Sequence, residues 1–106
     1  MAHHRCIVYL TDHTKPAPSQ LEQIILSAGG KMLLIKDPSF YDHIDDTDSK
    51  HICIADVEDV NTRSADLSIR FEALKKRNID ILSMEFFLTM VMQQEWPRPE
   101  NYVIPM

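Results

Sequence analysis

Apolar residues along the chain alternate between short unbroken runs and stripes of helical period. The run Cys6 to Thr11 is rich in β-formers, lacks clean alternation and is followed by turn residues, which predicts a strand covered on both faces. After a loop from Asp12 to Pro18, residues Ser19 to Glu22 have the S-x-x-E form of a capping box. Leu21, Ile24, Ile25 and Ala28 then recur at i, i+3, i+4 and i+7, predicting a helix that Gly29-Gly30 ends in the left-handed conformation. Lys31 to Lys36 and His51 to Val57 repeat the buried-strand pattern. Between them, Asp37 to Lys50 is too acidic to pack and predicts an exposed loop. A second loop reaches Ser64, after which Leu67, Phe71 and Leu74 mark a helix face with Asn78 as its C-terminal cap. Ile79 to Leu82 is a fourth strand, and Ser83 caps a last helix that Trp96-Pro97-Arg98-Pro99 stops. This order predicts one α/β domain, a largely parallel sheet with helices on both faces.

The last helix departs from a simple stripe. Met84, Phe86, Phe87, Leu88, Met90, Val91 and Met92 cannot all face one sheet, so the helix is expected to be buried on two sides. An internal contact covers at most one side. The surplus, softened by three methionines, points to a docking partner.

Composition narrows the class further. At 106 residues with 44% hydrophobic content, the chain suits one small domain with a real core. Two cysteines are too few for a disulfide scaffold, and Cys6 and Cys53 read as reduced thiols within strands. No apolar run approaches the roughly 18 to 20 residues of a membrane span, so no membrane partner is expected. Residues 1–5 lack the apolar segment of a signal peptide and read as a leader or tag remnant, which sets His3 and His4 aside and places the domain at 6–104. The net charge is −5, and eight acids between Asp37 and Asp59 share their stretch with a single lysine, Lys50. Such a face repels a phosphate backbone, so no direct nucleic-acid partner is expected. The basic cluster Lys75-Lys76-Arg77 complements the dipole at a helix C-terminus.

Catalytic chemistry finds little material. Cys6, His13, His43, His51 and Cys53 have no metal-ligand spacing, and neither a G-x-S-x-G elbow nor a P-loop is present. Only two glycines occur, after a helix instead of before one, so no cofactor or metal is expected. One enzymatic alternative stays open: Asp12 and Asp56 fall at strand C-termini, as the acids of a small phospho-accepting receiver do.

Taken together, the segment Leu21 to Met32 with Ala28-Gly29-Gly30-Lys31, the tetrapeptide Asp37 to Phe40, the strand His51 to Ala55, and Asn78 to Ile81 followed by Met84 to Thr89 resemble a BRCT domain. The resemblance runs from about Cys6 to Ile104, and it is to the last BRCT repeat of the PTIP group and its fungal DNA-damage scaffold relatives. It implies a three-layer fold: a four-stranded parallel sheet of order 2-1-3-4, with the first and third helices on one face and the second on the other. It also implies a nuclear, non-enzymatic interaction module, the second half of a tandem pair that recognises a phosphorylated protein or histone tail in the DNA damage response. In such pairs the first and third helices pack on the preceding repeat, which the resemblance places on Leu21, Ile24, Ile25, Phe87 and Val91. A peptide groove would draw on Thr14, Lys15, Pro16, Met84, Glu85 and Leu88. The alternative within binding modules is a homodimer of the isolated domain through the same helices.

The sequence departs from the family pattern at the phosphate site. Phosphate-binding repeats carry Ser/Thr-Gly after the first strand and Thr/Ser-x-Lys at the second helix, whereas here Thr11 is followed by Asp12 and the helix entrance is Thr62-Arg63-Ser64-Ala65-Asp66. A carboxylate stands where a phosphate would arrive, so the domain alone is expected not to bind phosphoserine there. Phe86 replaces the usual Trp, a tolerable change of core volume.

Overall fold

The computed structural model describes residues 5–106, with the backbone alone at Arg5; the leader reading of residues 1–5 otherwise lies outside the described residues. Four strands, β1 (Arg5–Leu10), β2 (Lys31–Leu34), β3 (Ser49–Ile54) and β4 (Ile81–Leu82), form an all-parallel sheet of order β2-β1-β3-β4. Five helices accompany them: α1 (Pro18–Ser27), α2 (Phe40–His43), α3 (Val57–Asn61), α4 (Ala65–Lys76) and α5 (Met84–Gln93). A 3-10 turn at Pro99–Asn101 leads into the tail.

Parallel pairing on both sides makes β1 the centre, with Val8 level with Met32 and Ile52. Successive side chains on a strand point to opposite faces, and so two cores form. Val8, Leu10, Ile52 and Ile54 meet Leu21, Ile25, Phe86 and Phe87 of α1 and α5. Ile7, Tyr9, Cys53 and Ala55 meet Leu67, Phe71 and Leu74 of α4. The layering is the one the sequence implies.

Local chemistry sets the helix ends. Gly29 has φ +84, its N–H donates to the Leu26 carbonyl at 3.0 Å and the Gly30 N–H to Ile25 at 2.9 Å, a Schellman close. Gly30 is constrained differently: a Cβ there would lie 3.1 Å from the Cys6 carbonyl oxygen and from the Ile25 side chain. Asn78, with φ 60, ends α4 by the same pattern, with Ile79 bonding back to Leu74 at 3.0 Å. Ser64 caps α4 by accepting from the Leu67 N–H at 3.1 Å, while Lys75 and Lys76 occupy its last turn.

Several boundaries differ from the sequence reading. Helix α1 starts at Pro18 with Ala17 at the cap position, and its box is half a box: Gln20 accepts from the Ala17 N–H at 3.1 Å, which Glu22 and Ser19 were expected to arrange. Ser83 sits at the cap of α5 without a side-chain capping bond. That helix ends at Gln94, in the left-handed region at φ 56, before Trp96-Pro97 is reached. The acidic stretch 37–50 is not simply an exposed loop, because it folds α2 and buries Phe40 and Ile44 in the α4-side core. Asp37 starts that turn by accepting from the Ser39 N–H at 2.8 Å and its hydroxyl at 2.6 Å, bonds that hold the Asp37 carboxyl below the ordinary carboxylate range. Likewise the second loop contains α3, which buries Val60.

Arg70 ties these additions to the frame. From α4 its Nη1 donates to the carbonyls of Ile35 at 3.0 Å and Asp37 at 2.9 Å, and its Nε to Asp66 at 3.0 Å. The guanidinium carbon also lies 5.4 Å from the Phe40 ring centroid and 5.2 Å from that of Tyr41. Three charge-assisted bonds from one planar fork cannot be replaced by a point charge. Arg70→Met is expected to cost about 3 kcal/mol, read from the urea unfolding midpoint, and Arg70→Lys to recover little of it.

Candidate functional site

Because all strands run the same way, their C-terminal ends share one edge and their N-terminal ends the other. A distinct surface lies at each edge. On the α1 and α5 face, towards the strand N-termini, an apolar groove of about 490 Å³ runs between the two helices. Ile25, Phe87, Val8 and Ile52 form its floor; Ile24, Val91 and Met90 stand along it, and Gly30, Ala28 and Trp96 close its end.

Four of the five residues expected to pack on another repeat therefore meet in one place. Ile24 and Val91 are 42% and 39% exposed and are open to a partner. Ile25 and Phe87 belong to the domain's own core and contribute only the floor, while Leu21 is buried and lies outside the groove. Leu21, Ile25 and Phe87 are thus packed against the domain's own sheet, with Ile25 and Phe87 also facing the groove. Helix α5 is thus buried on one side in this chain, with Leu88 half-exposed and Met92 84% exposed on the other.

Cys6 and Trp96 were not anticipated here, whereas Met90 belongs to the apolar surplus already noted on this helix. Cys6 is half-buried and Cys53 buried, both free thiols. Burial pushes the Cys6 thiol up despite the nearby Lys50 charge, so it remains protonated. Lys50 lies 3.8 Å from the Trp96 ring centroid, and that ring is 5.9 Å from Phe86. The lone lysine of the acidic stretch therefore marks the groove's end.

At the opposite edge, a recess of about 180 Å³ is lined by Thr11, Asp12, His13, Lys36, Asp59 and the entrance of α4 from Thr62 to Ser64. Asp59 accepts from the His13 N–H at 2.9 Å and from its Nδ1 at 2.6 Å, while Thr11 Oγ1 accepts from the Asp56 N–H at 2.9 Å. Lys36 pairs with Asp12 at 2.9 Å. Arg63 donates to the Val60 carbonyl at 2.6 Å. Asp56, the second acid of the receiver-like alternative, caps α3 by accepting from the Glu58 and Asp59 N–H groups at 3.0 and 3.3 Å. Among the described residues no group of three His, Cys, Asp or Glu is arranged to hold a metal ion.

The expected peptide-groove residues divide into two sets at this edge. Thr14, Lys15 and Pro16 follow β1, with a cis bond between the last two, and Met84, Glu85 and Leu88 follow β4. With β3 between them the two strands are about 10 Å apart. Thr14 is buried, its hydroxyl without a hydrogen-bond partner; Lys15, Pro16, Glu85 and Leu88 are exposed and Met84 half-buried.

Fold and groove define a class: a three-layer α/β module with an apolar groove between α1 and α5. The chain belongs to the BRCT domain family, whose model matches residues 3–103. Members are generally protein-interaction modules of the DNA damage response and generally not enzymes, which favours an interaction role over the receiver-like reading of Asp12 and Asp56. No curated protein matches the chain.

Burial raises the Asp59 carboxyl, but bonds from His13 and Thr11 outweigh it and hold the group below its ordinary range. A depressed folded pKa gives stability that is present above the unfolded value, about 3.9, and is lost as pH falls through the folded value. Asp59→Asn is accordingly expected to lower the thermal midpoint at neutral pH, with the gap to the native protein closing in acid. Thermal unfolding from pH 7 down to pH 2 measures this; a gap independent of pH contradicts it.

Proposed function

We propose that the domain is the second half of a tandem BRCT pair in a nuclear DNA-damage scaffold, like the last repeat of the PTIP group. The preceding repeat docks on α1 and α5, and together the two recognise a phosphorylated partner such as a histone tail. The observation that carries this reading is the groove between α1 and α5, whose walls include the exposed apolar Ile24 and Val91. A solvated helix has no physical need of such residues, whereas an interface core is built from them. The recess beside Thr11 supports assigning the phosphate to the other repeat, because its cations Lys36 and Arg63 already have acceptors. Lys15, Pro16, Glu85 and Leu88 then serve the peptide beyond the phosphate.

Sedimentation tests the docking surface. The domain is expected to be monomeric alone and to associate with the roughly one hundred preceding residues supplied as a separate chain, an association that Val91→Asp weakens at least tenfold while moving the thermal midpoint little. A concentration-dependent dimer of the domain alone, lost in Val91→Asp, favours homodimerisation instead. Phosphopeptide affinity is expected only when the preceding repeat is present; tight binding by this domain alone, lost on Arg63→Ala, contradicts the reading.

A further inference from the structure

The two outer edges of the sheet differ. On β4 the tail supplies partners, the Ile104 N–H donating to the Ile81 carbonyl at 2.9 Å. Strand β2 pairs with β1 alone. The Ile35 N–H donates to the Leu10 carbonyl at 2.9 Å, so by the register of the pair Lys31 and Leu33 also bond towards β1. A trans peptide turns each C=O away from the N–H that follows it. The Gly30 carbonyl, the N–H and carbonyl of Met32 and the Leu34 N–H therefore point outward, and among the described residues these four groups have no hydrogen-bond partner. We propose that this edge receives an extended segment of another protein as a fifth, parallel strand, with an acidic residue beside Lys31 and apolar residues beside Met32 and Leu34.

The open groups set the direction. A parallel strand bonds through alternate residues: the first donates to Gly30 and accepts from Met32, and the next but one donates to Met32 and accepts from Leu34. All four groups are then used. An antiparallel strand centred on Met32 would also need the Leu34 carbonyl and the Gly30 N–H, which are engaged with the Asp37 N–H and the Ile25 carbonyl, each at 2.9 Å.

Side chains set the chemistry, because paired residues share a face. Met32 and Leu34 are half-buried against the α1-side core, which leaves part of each open to an added strand. Helix α1 packs over β2 and α5 over β3. Ile24 faces the groove and Ile25 the sheet, so Leu26, about 100° further round, falls on the flank of α1 beyond the β2 edge, where it is 53% exposed. On the other face the Lys31 ammonium donates to His43 Nε2 at 3.5 Å and joins none of the ion pairs among the described residues. A carboxylate on the residue paired with Lys31 complements it, while main-chain bonds supply the affinity.

This inference does not rest on the tandem reading, because it uses the flank of α1 turned away from the groove. A peptide with the core Asp-Val-Thr-Val, blocked at both ends, is titrated into the domain while amide NMR shifts and hydrogen exchange are followed. In the free domain Met32 and Leu34 are expected to exchange fast, Leu33 and Ile35 slowly. Saturating peptide is expected to slow Met32 and Leu34 roughly tenfold or more. N-methylation of the peptide's Asp or Thr, whose N–H groups a parallel strand donates, removes binding, and N-methylation of either Val does not. Lys31→Glu weakens binding about threefold, and a peptide with Lys in place of Asp restores it; Leu26→Asp weakens both peptides. Met32 and Leu34 amides that stay unprotected overturn the proposal. So does binding lost on N-methylation of Val but not of Thr, the mark of an antiparallel strand. Protection that grows with the concentration of the domain alone also overturns it, by placing a second copy on the edge.

Discussion

Strand β1 has to be dry on both faces, and one of its side chains is a phenol. Tyr9 is completely buried, and burial keeps its hydroxyl protonated. That hydroxyl needs an acceptor inside the α4-side core. It finds His51 Nδ1 at 2.9 Å, while His51 Nε2 meets the Asp46 carbonyl at 2.7 Å. A carbonyl can only accept, so Nε2 carries the proton and Nδ1 is left to receive the Tyr9 hydroxyl. The Asp46 carbonyl thereby fixes the tautomer of His51, and His51 in turn satisfies the buried Tyr9 hydroxyl. Phe40 packs edge-on to Tyr9 at 5.5 Å, and Arg77 reaches Asp45 at 2.7 Å, so the acidic stretch is held from inside by aromatic contact and from outside by charge.

The two surfaces follow from that central strand by geometry. A parallel sheet sends its helices back along one direction, so the C-terminal ends of α1 and α5 flank the strand beginnings and there leave a groove of apolar side chains. The polar turns accumulate at the other edge, in the way open parallel sheets generally collect polar chemistry. The apolar groove and the polar recess are separated by the length of the strands and by the sheet itself. Changes at Asp12 or Asp59 therefore need not disturb Ile24 or Val91, which is the condition under which two sites are free to vary independently.

Much of this frame is legible in the residues. Strands β1 and β3 announce themselves as unbroken apolar runs, and the faces of α1 and α4 as stripes closed by Gly29 and Asn78. The surplus on α5 is likewise legible, because Leu88, Val91 and Met92 exceed what one contact with a sheet can cover. What escapes is short or distant. Helices of four and five residues, α2 and α3, have no period to detect, and single anchors such as Phe40 and Val60 are hidden among acids whose charges stay outside. Nor does periodicity distinguish the floor of a groove from its walls: Ile24 and Ile25 are adjacent in the stripe, yet one is open and the other sealed. The pairing of His13 with Asp59 depends on three-dimensional closure alone, and composition could show only that acids were plentiful.

The last residues of the domain have a part beyond filling space. Leu82 and Val103 form an antiparallel bridge, the Ser83 N–H donates to Tyr102 and the Ile104 N–H to Ile81, each at 2.9 Å, and Ile104 enters the core. The tail so occupies the outer rim of a strand only two residues long. Shorn of it, β4 would present unsatisfied main-chain groups of the kind to which an extended peptide adds a strand. A few terminal residues thus close one edge of the sheet to further strands.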